Sequence, residues 1–136
     1  MKKGRKARPE EILHRQCAEY LKIQYPDVYF TFDPSGEYVG GKNSKGWQRV
    51  KATKAKKSDH AHLDMIILEP NGKFKGALIE LKSKTPFKKN GELLKDDHYE
   101  AQMKVMNNMA AKGYFCIFVW EFHQFVRIID KYMETR

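Results

Sequence analysis

Residues 63–82 read Leu-Asp-Met-Ile-Ile-Leu-Glu-Pro-Asn-Gly-Lys-Phe-Lys-Gly-Ala-Leu-Ile-Glu-Leu-Lys, two apolar runs around a Gly-rich turn. The spacing predicts adjacent strands over Leu63–Pro70 and Gly76–Lys82, with Asp64 near the start of one and Glu80 and Lys82 ending the other. Strand side chains alternate faces, so Glu80 and Lys82 share one face while Ile79 and Leu81 take the opposite one. An antiparallel hairpin centred on Gly72 sets Asp64 directly opposite Glu80. A two-residue Asn71-Gly72 turn slips the register by one and puts the carboxylates on opposite faces. A site that uses both acids therefore needs an odd-length loop or a bulge.

Like charges directly opposite one another destabilise a sheet. A divalent cation between them reverses that cost, because hard cations such as Mg²⁺ take oxygen ligands, often one or two carboxylates plus phosphate. Ordinary strand-end charges are the plain alternative in a chain that is 32% charged. Against it, Glu80-Leu81-Lys82 is the only acid-x-Lys triplet in the sequence, and it closes the apolar run Ala77-Leu78-Ile79, where solvated charges are out of place. The pair with its lysine points to a metal-dependent nuclease.

With 136 residues, 41% of them hydrophobic, the chain is expected to form a flexible basic arm over residues 1–8 and one domain over 9–136. A formal charge of +9 and a pI near 9.5 call for an anionic partner, most simply a phosphate backbone. The basic residues are bunched: Lys2 to Arg8, Lys42 to Lys57, and Lys82 to Lys89. Lys42, Lys45, Trp47, Arg49, Lys51, Lys54, Lys56, Lys57, Lys84, Lys88 and Lys89 are the expected nucleic-acid contacts. Cys17 and Cys116 stand among apolar neighbours and read as reduced core thiols of an intracellular protein. No run reaches membrane-spanning length, and the charged start lacks the apolar core of a secretory signal.

Pro9-Glu10-Glu11 followed by Leu13, Cys17, Tyr20 and Leu21 predicts a helix from about Glu10 to Gln24, stopped by Pro26. Val28–Phe32 is strand-like. Gly36, Gly40, Gly41 and Gly46 mark a loop, and Trp47–Lys57 suits a short basic helix. Ser83–Lys95, with Pro86 and Gly91, reads as a mobile loop. Asp97 with Glu100 makes a capping box for a helix to about Lys112, before Gly113. Phe115–Trp120 is a buried strand, and Phe122, Phe125, Val126, Ile129, Tyr132 and Met133 line a final amphipathic helix. Helix, three strands, helix, strand, helix gives an α/β domain with a mixed sheet.

Two polar residues fall on apolar stripes. Gln102 shares the face of Tyr99, Met103, Met106 and Met109, and Glu10 that of Leu13, Cys17 and Leu21, whereas Glu11 lies off it. A buried amide needs partners, and the sheet backbone could supply them as readily as a site.

With these residues in place, the chain resembles the VRR-NUC branch of the PD-(D/E)XK nuclease superfamily, many of whose members are phage-encoded. The likeness runs from about Pro9 to Tyr132: an early acid, Tyr20-Leu21-Lys22-Ile23-Gln24-Tyr25-Pro26, Leu63-Asp64, Ile79-Glu80-Leu81-Lys82, then Gln102, Met109 and Gly113-Tyr114. It departs from the family at Leu63, where proline is usual, at Pro34-Ser35-Gly36, where Asn-Gly is usual, and in an insertion over Lys84–Lys95. The resemblance implies a restriction-endonuclease-like core, a central mixed four-stranded sheet flanked by helices in the order αβββαβ plus a C-terminal helix. It implies that Glu10, Asp64, Glu80 and the Leu81 carbonyl hold Mg²⁺ or Mn²⁺, that Lys82 acts in catalysis and that Gln102 supports the site. Glu11 remains an alternative to Glu10. It further implies DNA as substrate, of the branched kind that Holliday junction resolvases cut, a homodimer, no organic cofactor, and a cytoplasmic location, the host's if phage-encoded.

Two rival readings compete. His60-Ala61-His62-Leu63-Asp64 matches the start of the His-x-His-x-Asp-His zinc motif of metallo-β-lactamase-fold hydrolases, but Met65 stands where the next histidine belongs. A non-catalytic DNA-binding module on the same fold would use the basic bunches, with Tyr38, Trp47 and Phe87 for stacking.

Overall fold

A computed structural model describes residues 8–33, 56–58 and 60–136. The basic arm before Arg8, the Gly-rich loop, most of the expected basic helix, and Lys42, Lys45, Trp47, Arg49, Lys51 and Lys54 lie outside the described residues. Lys56 and Lys57, the end of that expected helix, form a turn.

Helix α1 (Pro9–Gln24) starts where proline loses nothing by lacking an N–H. Glu11 closes its first turn, accepting from the Arg8 backbone N–H at 3.4 Å and from the Arg8 guanidinium at 3.3 Å. Strands β1 (Phe30–Phe32), β2 (Met65–Ile67) and β3 (Ala77–Leu81) follow, then helix α2 (Asp97–Ala111), strand β4 (Phe115–Val119) and helix α3 (Phe122–Glu134). The sheet order is β1-β2-β3-β4, antiparallel except for the β3–β4 pair. Only that parallel pair needs a long crossover, and α2 supplies it. The architecture is the expected mixed four-stranded sheet with flanking helices.

Met65, Ile67, Ala77, Ile79 and Leu81 point to one face, where they pack with Leu13, Cys17 and Leu21 of α1 and Phe125 and Ile129 of α3. Burial pushes the Cys17 thiol up to about 12 and that of Cys116 to about 11, so neither is a nucleophile near neutrality. The opposite face carries a smaller cluster of Leu63, Met106 and Phe118 under α2, with Leu78, Phe87 and Trp120 against it. No described helix is long and apolar enough to cross a membrane.

The hairpin register is the odd-loop one. Met65 pairs with Ile79, Ile66 with Leu78 and Ile67 with Ala77, a ladder centred on Gly72. Asn71-Gly72 does not form a two-residue turn. Instead Asn71 Oδ1 accepts from the N–H groups of Lys73 at 2.8 Å and Phe74 at 2.7 Å, an Asx turn, while its Nδ2 donates to the Tyr132 carbonyl at 3.1 Å. The next strand begins behind Gly76, where a Cβ would sit 2.9 Å from the Ile67 carbonyl oxygen. Beyond Ile67 the chain leaves the β2–β3 ladder, with Leu68 N–H donating to the Tyr29 carbonyl and the Glu69 carbonyl accepting from Tyr132.

Two local expectations need correction. The cap of α2 is Asp96, whose carboxylate accepts from His98 N–H at 2.8 Å and Tyr99 N–H at 3.2 Å, so the helix starts at Asp97 without the expected capping box. Ser83–Lys95 holds a small closed hairpin. Phe87 bridges to Leu93, Lys88 N–H donates to the Glu92 carbonyl and Leu94 N–H to that of Pro86, with Gly91 at a φ of 88° in the turn. Phe87 anchors it, its ring edge-on to Phe118 at 5.8 Å and Trp120 at 5.9 Å.

Candidate active site

The β2–β3 ladder stops at the Met65–Ile79 pair, and the next pair, Asp64 with Glu80, is joined by side chains. Asp64 N–H donates to Glu80 Oε2 at 2.9 Å, and Leu81 N–H donates to Asp64 Oδ2 at 2.9 Å. Each carboxylate thus caps the strand end of the other. Glu80 points to the face that α2 covers, where Gln102 meets it, and Asp64 lies opposite it at the strand end with His14 of α1 on its other side. Leu81 contributes its backbone here while its side chain is buried in the opposite core.

Glu80, Lys82 and Gln102 are the buried polar residues of the described chain, 5%, 8% and 6% exposed. Gln102 Nε2 donates to Glu80 Oε1 at 2.9 Å. Lys82 Nζ lies 3.4 Å from the same oxygen and 4.7 Å above the centre of the Tyr99 ring. A buried charge survives only when paired and hydrogen-bonded, and Glu80 has both. Burial, and then the charge of Asp64, still push its carboxyl up to about 8, against the opposing pull of Lys82 and the Asp64 N–H.

Asp64, Glu80, Lys82, Gln102 and the Leu81 backbone converge. Glu10 does not join them: it is exposed on the first turn of α1 and makes no hydrogen bond or ion pair among the described residues. Its stripe is buried only from Leu13 onward, since the helix begins beyond the edge of the core. The α1 residue that reaches the pair is His14, with Nε2 at 3.6 Å from Asp64 Oδ2 and its ring stacked on Phe32 at 5.1 Å. Among the described residues no three His, Cys, Asp or Glu side chains are gathered tightly enough to hold an ion. His14 and Tyr99 carried no sequence assignment. The usable signal was spacing, since His14 lies one helical turn after Glu10 and Tyr99 one turn before Gln102.

Lys84, Lys88 and Lys89 are exposed on and beside the closed hairpin, Lys88 in a loose 3.9 Å pair with Glu92. Lys56 is exposed, whereas Lys57 is taken up by an ion pair with Asp33. His62 turns back to the Ser58 carbonyl at 3.0 Å, and the His60-x-His62-x-Asp64 run gathers no zinc-type cluster among the described residues. An open apolar groove of ≈ 350 Å³ beside β4 is lined by Met103, Met106, Phe118 and Trp120, with no carboxylate on its walls, so it stands apart from this chemistry.

The architecture is an α/β fold, a mixed four-stranded sheet flanked by helices, with Asp64 and Glu80 facing each other at one end of the β2–β3 hairpin. Within that fold class, a solved structure named VRR_NUC domain protein is similar to this chain, with a TM-score of 0.63 and 18% identity over 96% of this chain and 93% of its own. At that identity the likeness is one of fold. No family model matches the chain, and no curated protein matches it in sequence.

Proposed function

We propose that this chain is a VRR-NUC-type nuclease that hydrolyses DNA phosphodiester bonds with a divalent cation, Mg²⁺ or Mn²⁺. The observation that carries the reading is the Asp64–Glu80 pair, joined across the hairpin end with Lys82 and Gln102 on the same Glu80 oxygen. The donor set fits a hard cation: two carboxylates meet at the hairpin end beside the Leu81 backbone. Asp64, Glu80 and the Leu81 carbonyl would hold the ion, while Glu10, exposed on the first turn of α1, stands outside this set. When bound, such an ion lowers the pKa of a water molecule and neutralises phosphoryl charge.

The chain's own groups supply the rest. Lys82, held beside Glu80 and over Tyr99, positions the attacking water and stabilises charge growing on the phosphoryl oxygens. Gln102 fixes the rotamer of Glu80, leaving the second carboxylate oxygen to the Asp64 side. Lys84, Lys88 and Lys89, with the basic bunch from Lys42 to Lys56, neutralise neighbouring phosphates. A homodimer acting on branched DNA fits the chain's small size and basic charge, since symmetric cleavage of a junction needs two sites.

Cleavage of four-way junctions, flaps, nicked duplex and single strands, with Mg²⁺, Mn²⁺ or EDTA, tests the proposal. Metal-dependent cutting with a preference for branched substrates is expected. Tight binding to the same panel without cutting under any metal would instead make the chain a DNA-binding module.

A further inference from the structure

Among the described residues, two buried side-chain polar atoms have no hydrogen-bond partner: His14 Nε2 and Gln102 Oε1. Both border the same carboxylate pair. His14 reaches it from α1, 3.6 Å from Asp64 Oδ2, and Gln102 from α2, its Nε2 already on Glu80 Oε1. A buried polar atom without a partner costs roughly 1–3 kcal/mol, so native folds seldom leave one. Two of them, on opposite sides of one acid pair, mark a place built to receive something that binds nitrogen and oxygen lone pairs.

The imidazole is also held in place. Its ring stacks on Phe32 at 5.1 Å and an interplanar angle of 23°, so it keeps facing Asp64. Glu10, one helical turn earlier, is exposed and makes no hydrogen bond or ion pair among the described residues. The α1 donor in contact with the acids is thus a nitrogen.

We propose that His14 Nε2 is a ligand of the cation held by Asp64 and Glu80, which makes this a mixed nitrogen-and-oxygen centre selective for a first-row transition cation, Mn²⁺ over Mg²⁺. The inference rests on the metal-dependent reading above and adds the identity of the α1 donor and the class of cation. Mg²⁺ favours an all-oxygen shell and gives up water reluctantly, whereas imidazole suits transition metals, whose affinity for nitrogen donors is higher. The ion has to draw the donors together, because Asp64 Oδ2 accepts from Leu81 N–H and Glu80 Oε2 from Asp64 N–H. Gln102 Oε1 adds a neutral acceptor on the far side.

The test uses the full chain, with Mn²⁺ and Mg²⁺ titrated by calorimetry and the Mn²⁺ complex read by pulsed electron paramagnetic resonance. Wild type is expected to show coupling from one directly bound imidazole nitrogen, absent in His14→Ala and His14→Gln. Both variants should lose on the order of tenfold in Mn²⁺ affinity while Mg²⁺ affinity moves less than about threefold. Mn²⁺ bound to wild type without nitrogen coupling overturns the inference and leaves the carboxylate-based nuclease reading intact. Failure of wild type to bind either ion overturns both. If the variants do not fold, the nitrogen coupling of the wild-type complex, assigned by isotope-labelled histidine, decides alone.

Discussion

Glu80 accepts a hydrogen bond from the backbone N–H of Asp64, so the two acids are tied in the one place where the β2–β3 ladder gives way to side chains. That tie holds a carboxyl whose folded-state pKa is raised by burial and by its neighbour's charge. The folded chain keeps the proton after the unfolded chain has released it. The associated stability is fully present below the ordinary value of about 4.5 and is lost as pH rises through about 8. In EDTA, urea unfolding should show stability falling across that interval in wild type and staying nearly level in Glu80→Gln, which cannot ionise. Parallel pH profiles for the two proteins would contradict the assignment, and saturating Mn²⁺ should flatten the wild-type slope.

Asp64→Asn keeps an oxygen for the Leu81 N–H but removes the charge, and Lys82→Ala removes the ammonium over Tyr99. Each should leave the fold and DNA binding close to wild type while cutting turnover by roughly a hundredfold or more. Single-turnover cleavage beside circular dichroism and a binding isotherm separates the effects. Wild-type rates in both variants would sink the proposed chemistry.

Asn71 sets the register through three hydrogen bonds, two accepted from Lys73 and Phe74 and one donated to Tyr132. Asn71→Asp keeps the acceptors and should cost about 1 kcal/mol, whereas Asn71→Ala loses all three and should cost about 2–3 kcal/mol. Chemical denaturation of the two variants reads the difference. Equal losses would mean that the turn does not depend on this side chain.

Phe87 is half-buried against Phe118 and Trp120, so Phe87→Ala should cost about 2 kcal/mol, below the range for a fully buried ring. The loss should be local. Amide exchange at Lys88 and Leu94 should speed up, while Ile79 and Ile117 in the central strands stay protected.

The site was legible where the chain's own parity dictates it. Alternation along Ile79-Glu80-Leu81-Lys82 fixed which side chains share a face, and the requirement that Asp64 join them selected the odd loop that Asn71 builds. Gln102 was legible as an amide on an apolar stripe. Helix capping by Asp96 was missed by one residue because Asp96 and Asp97 offer the same group, and only backbone geometry separates them. The Pro86–Leu94 hairpin was hidden because its order comes from Phe87 packing on Phe118 and Trp120, distant in sequence. Glu10 illustrates the opposite failure: helical phase gave its direction but not that α1 starts before the core does, leaving His14 as the residue in reach.

The same small hairpin has a bearing on how such chains diversify. Because Leu94 N–H closes onto the Pro86 carbonyl, the backbone enters and leaves the segment at nearly one point, and what lies between is held by Phe87 and Leu93 where the two strands meet the cluster beneath. A segment joined in that way can be lengthened, recharged or exchanged for another without disturbing Glu80 and Lys82 behind it. It is therefore the natural graft point for giving this scaffold a different substrate.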